Sequence, residues 1–166
     1  MSRHSKATGF QPVRHDRLIL EREHDTYKSR GKLAEPTVCP QCGAVFQQGR
    51  WQWATRPPHA HEKMCPACQR IHDRFPAGFV HLSGEFLAQH RDEIMHLTRN
   101  EAEREGAEHP LERMMDVEDE DGGILVTTTS IHLARRIAEA VNHAYAGELE
   151  FHYNDQEKLL RAHWRR

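Results

Sequence analysis

The sequence is poor in long apolar segments. None of its 166 residues belongs to a hydrophobic run of the roughly 18 residues that a membrane-spanning helix needs. The first thirty residues also lack the apolar stretch that is typical of a secretory signal peptide. Both absences argue against a membrane protein and against export, and so the sequence predicts a cytoplasmic protein that has no membrane partner.

Recognisable catalytic motifs are missing as well. The chain has no phosphate-binding loop, no HExxH motif and no Ser-His-Asp order of the kind found in hydrolases. Its 14 histidines make an active site conceivable, but no pair of carboxylates outside one acidic segment accompanies them. We therefore predict a protein that is not an enzyme and that has no small-molecule substrate.

Apolar side chains are scarce, and the charges are unevenly distributed. Hydrophobic residues make up 37% of the chain and aromatic residues 7%, against 29% charged residues, so the core must be modest. Residues 1–91 carry 14 basic and 8 acidic side chains, whereas residues 92–123 carry 3 and 12. This asymmetry suggests that the first half contacts a polyanion. The alternative, that both segments are simply solvated surfaces, stays open.

The four cysteines occur as two CxxC pairs, CPQC and CPAC, separated by 22 residues. Each CxxC turn directs two thiolates towards one point, and the long insert allows the two turns to face each other. A disulfide interpretation needs an oxidising compartment, which nothing in the sequence supports. We predict one structural zinc ion, because four thiolates leave no open coordination position for a reaction. The predicted ligands are Cys39, Cys42, Cys65 and Cys68.

Aromatic and basic residues follow the first cysteine pair. The segment between the pairs resembles a short β-hairpin that would be unstable without a metal. Trp51 and Trp53 are two residues apart, so they share one face of a strand. They either cover the metal site or, with the nearby cations, contact nucleic acid; we expect one of each. The candidate RNA-binding residues are Arg50, Trp51, Trp53, Arg56, Lys63, Arg70 and Arg74, with Arg14, Arg17, Lys28 and Arg30 from the N-terminal segment.

The hydrophobic periodicity predicts an α+β fold in three parts. Residues 1–37 form an extended basic arm with one short helix around residues 16–29, and residues 38–75 form the zinc ribbon. Residues 76–166 show the order β-α-β-β-α-β of a ferredoxin-like sandwich. Its second helix has an apolar stripe, with Ser130 as N-cap and Gly147 after its end. The last strand, within residues 158–166, faces RNA or, in the interpretation that we prefer, is an edge strand protected by its charges.

Four segments together resemble a known family. They are CPQCGAVFQQGRWQW, CPACQR, the strand GFVHLSGEF and the run GGILVTTTSIHLARRIAEAVNHAYAGELEF. In this order, over roughly residues 38–153, the chain is similar to the archaeal and eukaryotic large-ribosomal-subunit export adaptor family and to small bacterial zinc-ribbon proteins. The adaptor family has further CxxC pairs and further barrel domains that have no counterpart here, so of its properties only ribosome binding is carried over.

The resemblance implies a partner and a place of action. It implies that the chain binds the large ribosomal subunit, through rRNA and ribosomal proteins, with the zinc ribbon on the intersubunit face. The role would then be ribosome hibernation, subunit joining or subunit assembly. The alternative hypothesis is a zinc-ribbon adaptor or a transcription-associated regulator that has no ribosome contact and binds protein through the acidic residues 112–121 and the sandwich.

Overall fold

A computed structural model describes residues 10–13, 27 and 31–166. The helices of the described part are α1 (Pro66–Asp73), α2 (Glu85–Gln89), α3 (Arg91–Glu108) and α4 (Ile131–Tyr145). Its strands are β1 (Phe10–Val13), β2 (Thr37–Val38), β3 (Val45–Gln47), β4 (Arg50–Gln52), β5 (His61–Glu62), β6 (Gly78–Ser83), β7 (Met114–Glu120), β8 (Gly123–Thr128), β9 (Glu148–Asn154) and β10 (Leu159–Arg165). The fold is therefore α+β, as predicted, whereas the arm helix expected around residues 16–29 lies outside the described residues, apart from Tyr27.

The smaller of two sheets contains the predicted ribbon hairpin. Its strands have the order β4-β3-β2-β5. The turn between β3 and β4 consists of Gln48 and Gly49, which have φ values of 55° and 76°. The Glu35 carboxylate accepts hydrogen bonds from the backbone N–H of Gln48 at 3.2 Å and of Gly49 at 2.9 Å. These bonds fix the turn and hence the direction of β4.

The larger sheet has six strands in the order β1-β9-β10-β6-β8-β7. The predicted ferredoxin-like order is not confirmed, because β10 lies between β9 and β6 and runs parallel to β6. A tight turn after β9 places β10 beside β9: the Asn154 side-chain oxygen accepts from the backbone N–H of Gln156 and Glu157, both at 3.1 Å. The chain thus folds back along β9. Residues 10–13 of the predicted arm also join this sheet, as its outer strand β1.

Strand β10 is an interior strand. It pairs with β9 on one side and with β6 on the other, so the preferred interpretation of residues 158–166 as a charged edge strand is wrong. The alternation of apolar and polar side chains along β10 instead separates the two faces of the sheet. Leu160, Ala162 and Trp164 are buried, whereas Arg161 and His163 lie on the opposite face of the sheet. The hydrophobic pattern had the right period, but it does not show which strands are neighbours.

Helix α4 packs its apolar stripe against the larger sheet. Ser130 caps the helix as predicted, and its Oγ accepts from the backbone N–H of His132 at 3.1 Å. The chain leaves the helical conformation at Ala146 and Gly147, which both have positive φ. The predicted stripe is confirmed, with its first four members fully buried and the last partly buried: Ala134, Ile137, Ala138, Val141 and Tyr145.

The first of the two helices predicted in residues 76–166 is divided into α2 and α3. His90 separates the two, with a φ of −124°, and its ring stacks on Phe86 with centroids 4.1 Å apart. Helix α3 then continues to Glu108 and packs beside α4. None of the helices in the described part of the chain is both long and apolar enough to cross a membrane.

Histidines meet on the sheet face opposite the helices. The rings of His81 and His163 stack with centroids 4.5 Å apart, and His152 meets His163 edge-on at 5.8 Å. Arg161 lies beside them, with its Nη1 3.4 Å from His81 Nε2. Burial lowers the pKa of His163. The nearby His81, His152 and Arg161 lower this pKa further, whereas Glu150 raises it. The folded protein therefore favours a neutral His163.

We expect the free energy of unfolding to decrease as the pH falls below the ordinary histidine pKa of 6.5. Below that pH the unfolded chain takes up a proton that the folded His163 ring resists, so the unfolded state gains stability until the lowered pKa is passed. His163→Gln should reduce this decrease. Urea unfolding at about pH 7.5 and about pH 5.5 measures it. His96→Gln, at an exposed position of α3, is the control, and equal pH dependence in the parent and His163→Gln would contradict the prediction.

Candidate metal centre

Two backbone turns bring the cysteines together. The first runs from Cys39 to Ala44 and is closed by two backbone hydrogen bonds. The Cys39 N–H donates to the Ala44 carbonyl at 2.8 Å, and the Gly43 N–H donates to the Cys39 carbonyl at 2.9 Å. Gly43 has a φ of 81°, which favours glycine because it has no Cβ. The glycine directly after Cys42 is thus needed for the turn that aims the first two sulfur atoms.

The second cysteine pair stands at the start of α1. Cys65 is the N-cap residue, and its Sγ accepts from the backbone N–H of Cys68 at 3.4 Å. Pro66 occupies the first turn of the helix, where a missing N–H costs no hydrogen bond. The helix N-terminus carries a partial positive charge that favours thiolates at both positions. The sequence CPAC thus starts a helix and forms half of a metal site.

The four sulfur atoms lie within 4.8 Å of one another. The group consists of Cys39, Cys42, Cys65 and Cys68. Cys42 Sγ and Cys65 Sγ are 3.8 Å apart, and sulfur ligands at the usual zinc distance in a tetrahedron are also about 3.8 Å apart. All four thiols are free. The predicted cysteines therefore fit a single metal ion, and the histidines near them are not part of the group.

The surroundings of the thiols affect their ionisation unequally. Burial opposes ionisation of Cys39, but hydrogen bonds from the backbone N–H groups of Cys65, Cys42 and Gln41 outweigh it and lower the Cys39 pKa to about 7. Burial raises the pKa of the Cys42 and Cys65 thiols. Thiols bind a metal as thiolates, and a cation such as Zn²⁺ between them would supply the positive charge that offsets their burial.

Arg113 is a contact of the metal centre that the sequence did not reveal. Its Nη2 donates to Cys68 Sγ at 3.0 Å and to Cys65 Sγ at 3.4 Å. A metal with four thiolates has excess negative charge, and an arginine that donates hydrogen bonds to the sulfur atoms offsets part of it. Arg113 lies 45 residues after the last cysteine, so no local spacing in the sequence relates it to the metal site.

The same arginine connects the ribbon to the rest of the protein. The backbone N–H of Arg113 donates to Thr129 Oγ1 at 2.9 Å, and the Thr129 N–H donates to the Arg113 carbonyl at 2.9 Å. Thr129 follows β8, so Arg113 is fixed to the larger sheet while its guanidinium reaches the cysteines. Leu111 packs against the cysteine cluster, and Trp53 Nε1 donates to the Gly106 carbonyl at 2.7 Å. The ribbon is therefore held to the α/β part by several contacts.

The two tryptophans differ as expected. Trp51 is partly buried, packs against the cysteine cluster and meets Phe46 edge-on with ring centroids 5.5 Å apart. Trp53 is 42% exposed and makes the hydrogen bond to Gly106. The prediction is thus confirmed for burial, with one tryptophan packed on the metal site and one exposed, whereas contact with nucleic acid stays a prediction. The exposed one contacts α3, so its position also depends on the α/β part.

Most of the predicted cations of the ribbon are exposed. Arg50, Lys63 and Arg74 have exposed side chains without a hydrogen bond or an ion pair to another described residue. Arg56 is also exposed, but its Nη2 is 2.8 Å from Glu62 Oε1. Arg56 is therefore less available than the other three for a contact with a phosphate. The other candidates, which are Arg14, Arg17, Lys28 and Arg30, lie outside the described residues.

Arg70 contradicts the prediction that it contacts RNA. Its side chain is only 1% exposed, and its guanidinium lies 4.4 Å from the centre of the Tyr27 ring. Arg70 Nη1 also donates to the Phe75 carbonyl at 3.0 Å. Arg70 thus stabilises the end of α1 by packing under aromatic rings. The sequence does not show whether an arginine is exposed or buried. Here the burial of Arg70 depends on Tyr27, which lies 43 positions earlier.

A cleft of about 600 Å³ lies where the ribbon meets the segment after α3. We name it the ribbon cleft. Phe46 and Trp51 line it from the hairpin, Leu111 lines it from the segment after α3, and Lys32 and Arg50 contribute basic side chains. The adjacent Arg50 and Trp51, which follow the first cysteine pair so closely in sequence, therefore both reach one concave surface. The metal centre holds one wall of this surface in place.

Comparison of the chain with protein-family models, with curated proteins and with solved structures finds no match. The arguments for a function therefore come from the chain itself.

Proposed function

We propose that this is a non-enzymatic, cytoplasmic zinc protein that binds rRNA of the large ribosomal subunit. One observation carries the proposal: three exposed cations that pair with no other described residue, Arg50, Lys63 and Arg74, are held by a ribbon whose geometry the metal centre fixes. A rigid surface loses little conformational entropy on binding. Exposed cations attract phosphates, and the nucleic acid releases its condensed counterions when they bind.

Zinc is the metal that fits the cysteine cluster best. Four thiolates in a tetrahedral arrangement are typical of structural zinc sites, and two-residue spacings within each pair are usual. Cys39, Cys42, Cys65 and Cys68 would hold the ion. The bound metal would supply folding energy to a small sheet that has little apolar core of its own.

The ribosome as partner comes from the resemblance to the export adaptor family. That resemblance includes the GRW segment, and in the structure Arg50 and Trp51 of this segment line the ribbon cleft. We propose the intersubunit face as the binding surface and hibernation, subunit joining or assembly as the role. Ribosomal proteins near this face are additional proposed partners.

Arg50→Ala should weaken association with large subunits by about threefold to tenfold at low salt, because one phosphate contact is lost. Arg56→Ala should have a smaller effect, since Arg56 already pairs with Glu62. The measurement is cosedimentation of tagged protein with large subunits in sucrose gradients at low and high salt. Arg99→Ala removes the same charge from an exposed position of α3 and is the matched control. Equal sedimentation of all these variants would refute the proposed surface.

The acidic strand β7 favours a second candidate function. β7 stands at the edge of the larger sheet and exposes Asp116, Glu118, Asp119 and Glu120. An acidic edge strand is suited to a basic protein partner, as an adaptor or regulator would have. In that case the tagged protein would stay in light gradient fractions at low salt, and removing the acidic charges would abolish capture of the partner.

A further inference from the structure

We propose that the ribbon cleft holds one unpaired base of single-stranded RNA, which stacks on the aromatic wall formed by Phe46 and Trp51. This inference rests on the proposed RNA-binding function and names the form of RNA that the site takes. Its occupant follows from three properties of the cleft: its size, its aromatic wall and its charge.

The size and shape of the cleft suit a flat ring. At about 600 Å³ it lies within the range of pockets that bind small ligands. A base within a duplex is covered on both faces by its neighbours and cannot enter a cleft, whereas a base in a loop or a single strand can. The cleft is therefore expected to distinguish unpaired RNA from duplex RNA of the same sequence.

The aromatic wall is fixed before any ligand binds. Phe46 and Trp51 face each other across β3 and β4, with ring centroids 5.5 Å apart and planes inclined by 60°. Trp51 also packs against the cysteine cluster, so the metal centre restricts its movement. Rigid rings lose little side-chain entropy when a base stacks on them. Every base has a flat face, so this wall predicts little sequence preference.

The charges of the cleft favour a phosphate beside the base. Lys32 and Arg50 are exposed and have no ion pair or hydrogen bond to another described residue. Of the two acids that line the cleft, Glu35 accepts hydrogen bonds from the backbone N–H of Gln48 and Gly49. Burial raises the pKa of the other, Glu112. The two cations of the cleft therefore have no partner among the described residues, whereas Glu35 is held by backbone N–H groups and burial disfavours ionisation of Glu112, an arrangement that suits a phosphate better than a basic peptide.

The test compares a short single-stranded RNA with the same RNA in a duplex, both added to the full-length, zinc-loaded protein. Phe46→Leu keeps an apolar side chain but removes the ring, and Phe46 does not belong to the residues that pack on the cysteine cluster. We expect this variant to weaken single-strand binding about fivefold or more and to leave duplex binding unchanged. Lys63→Ala, outside the cleft, should weaken both equally, and Arg99→Ala neither.

Tryptophan fluorescence gives a second readout. Trp164 is fully buried and Trp53 does not line the cleft, so quenching by single-stranded RNA should come from Trp51. The quenching should persist in Trp53→Phe and decrease in Trp51→Phe. Lys32→Ala changes only an exposed side chain, so this variant tests the cleft even if Phe46→Leu folds poorly. We expect Lys32→Ala to weaken single-strand binding more than duplex binding.

The outcomes separate the two proposals. If RNA binds but Phe46→Leu and Lys32→Ala affect single strand and duplex equally, and Trp51 is not quenched, the cleft is not a base site although the proposed function stands. If neither RNA binds, both proposals fail. Quenching of Trp51 by a basic or apolar peptide, and not by RNA, would overturn the inference and make the cleft a peptide site.

Discussion

Replacing Cys42 with serine is expected to abolish metal binding and to unfold residues 38–75. A serine hydroxyl is a poor substitute for a thiolate, and three ligands cannot close a tetrahedral structural site. Structural zinc contributes about 10 to 16 kcal/mol to the folding of small metal-dependent units, which is as large as the total stability of many domains. The strands of the ribbon are only two or three residues long and cannot replace this energy. Elemental analysis should find one zinc per parent chain and none in the variant.

The larger sheet and α4 should survive this change. Val80, Ile124, Leu160 and Trp164 belong to a buried cluster separate from the cysteines, so far-ultraviolet circular dichroism should retain most of the helical signal. Hydrogen exchange should become fast in β3 and β4 and remain slow in β6. Ala54→Ser, at an exposed position of the ribbon, is the matched control. A Cys42→Ser protein that still binds one zinc, or that loses all helical signal, would contradict the prediction.

The sequence was most informative where a local pattern decides the structure. Two CxxC pairs predicted a metal site because the geometry of each turn depends on four neighbouring residues. The apolar stripe of α4 and its Ser130 cap were also predictable, since both follow from spacing within one helix. Strand pairs joined by short turns, such as β3 with β4 and β7 with β8, were found for the same reason.

The missed features all depend on contacts between distant positions. The place of β10 depends on a hairpin that inserts it beside β6, about 80 residues earlier. The burial of Arg70 depends on its contact with Tyr27, which the residues next to Arg70 in the sequence do not indicate. The ribbon cleft has one wall from the hairpin and one from the segment around Leu111. Such features depend on how elements pack together, and periodicity within each element does not determine that.

Arg113→Met is expected to weaken zinc binding by about tenfold to a hundredfold, the usual effect of losing a partner that hydrogen-bonds to a metal ligand. Methionine keeps much of the length of arginine but cannot donate hydrogen bonds to Cys65 and Cys68. The excess negative charge of the thiolates then lacks its partner. Arg113→Lys keeps the positive charge without the planar guanidinium and should lie between the variant and the parent. Competition with a chelator measures the affinity and the rate of zinc release.

The backbone of Arg113 is fixed to Thr129, and its guanidinium contacts the cysteines. Loss of the guanidinium should therefore weaken the contact between the ribbon and the α/β part. We expect faster hydrogen exchange in β3 and β4 of Arg113→Met even when zinc is saturating, while β6 and α4 stay protected. Arg136→Met is the matched control, since Arg136 also pairs across elements, at 3.1 Å from Glu105, but lies in another contact. If Arg136→Met released zinc as fast as Arg113→Met, the effect would reflect general destabilisation. A specific effect of Arg113 would mean that one side chain links metal occupancy to the wall of the ribbon cleft, so that loss of zinc also removes the proposed RNA site.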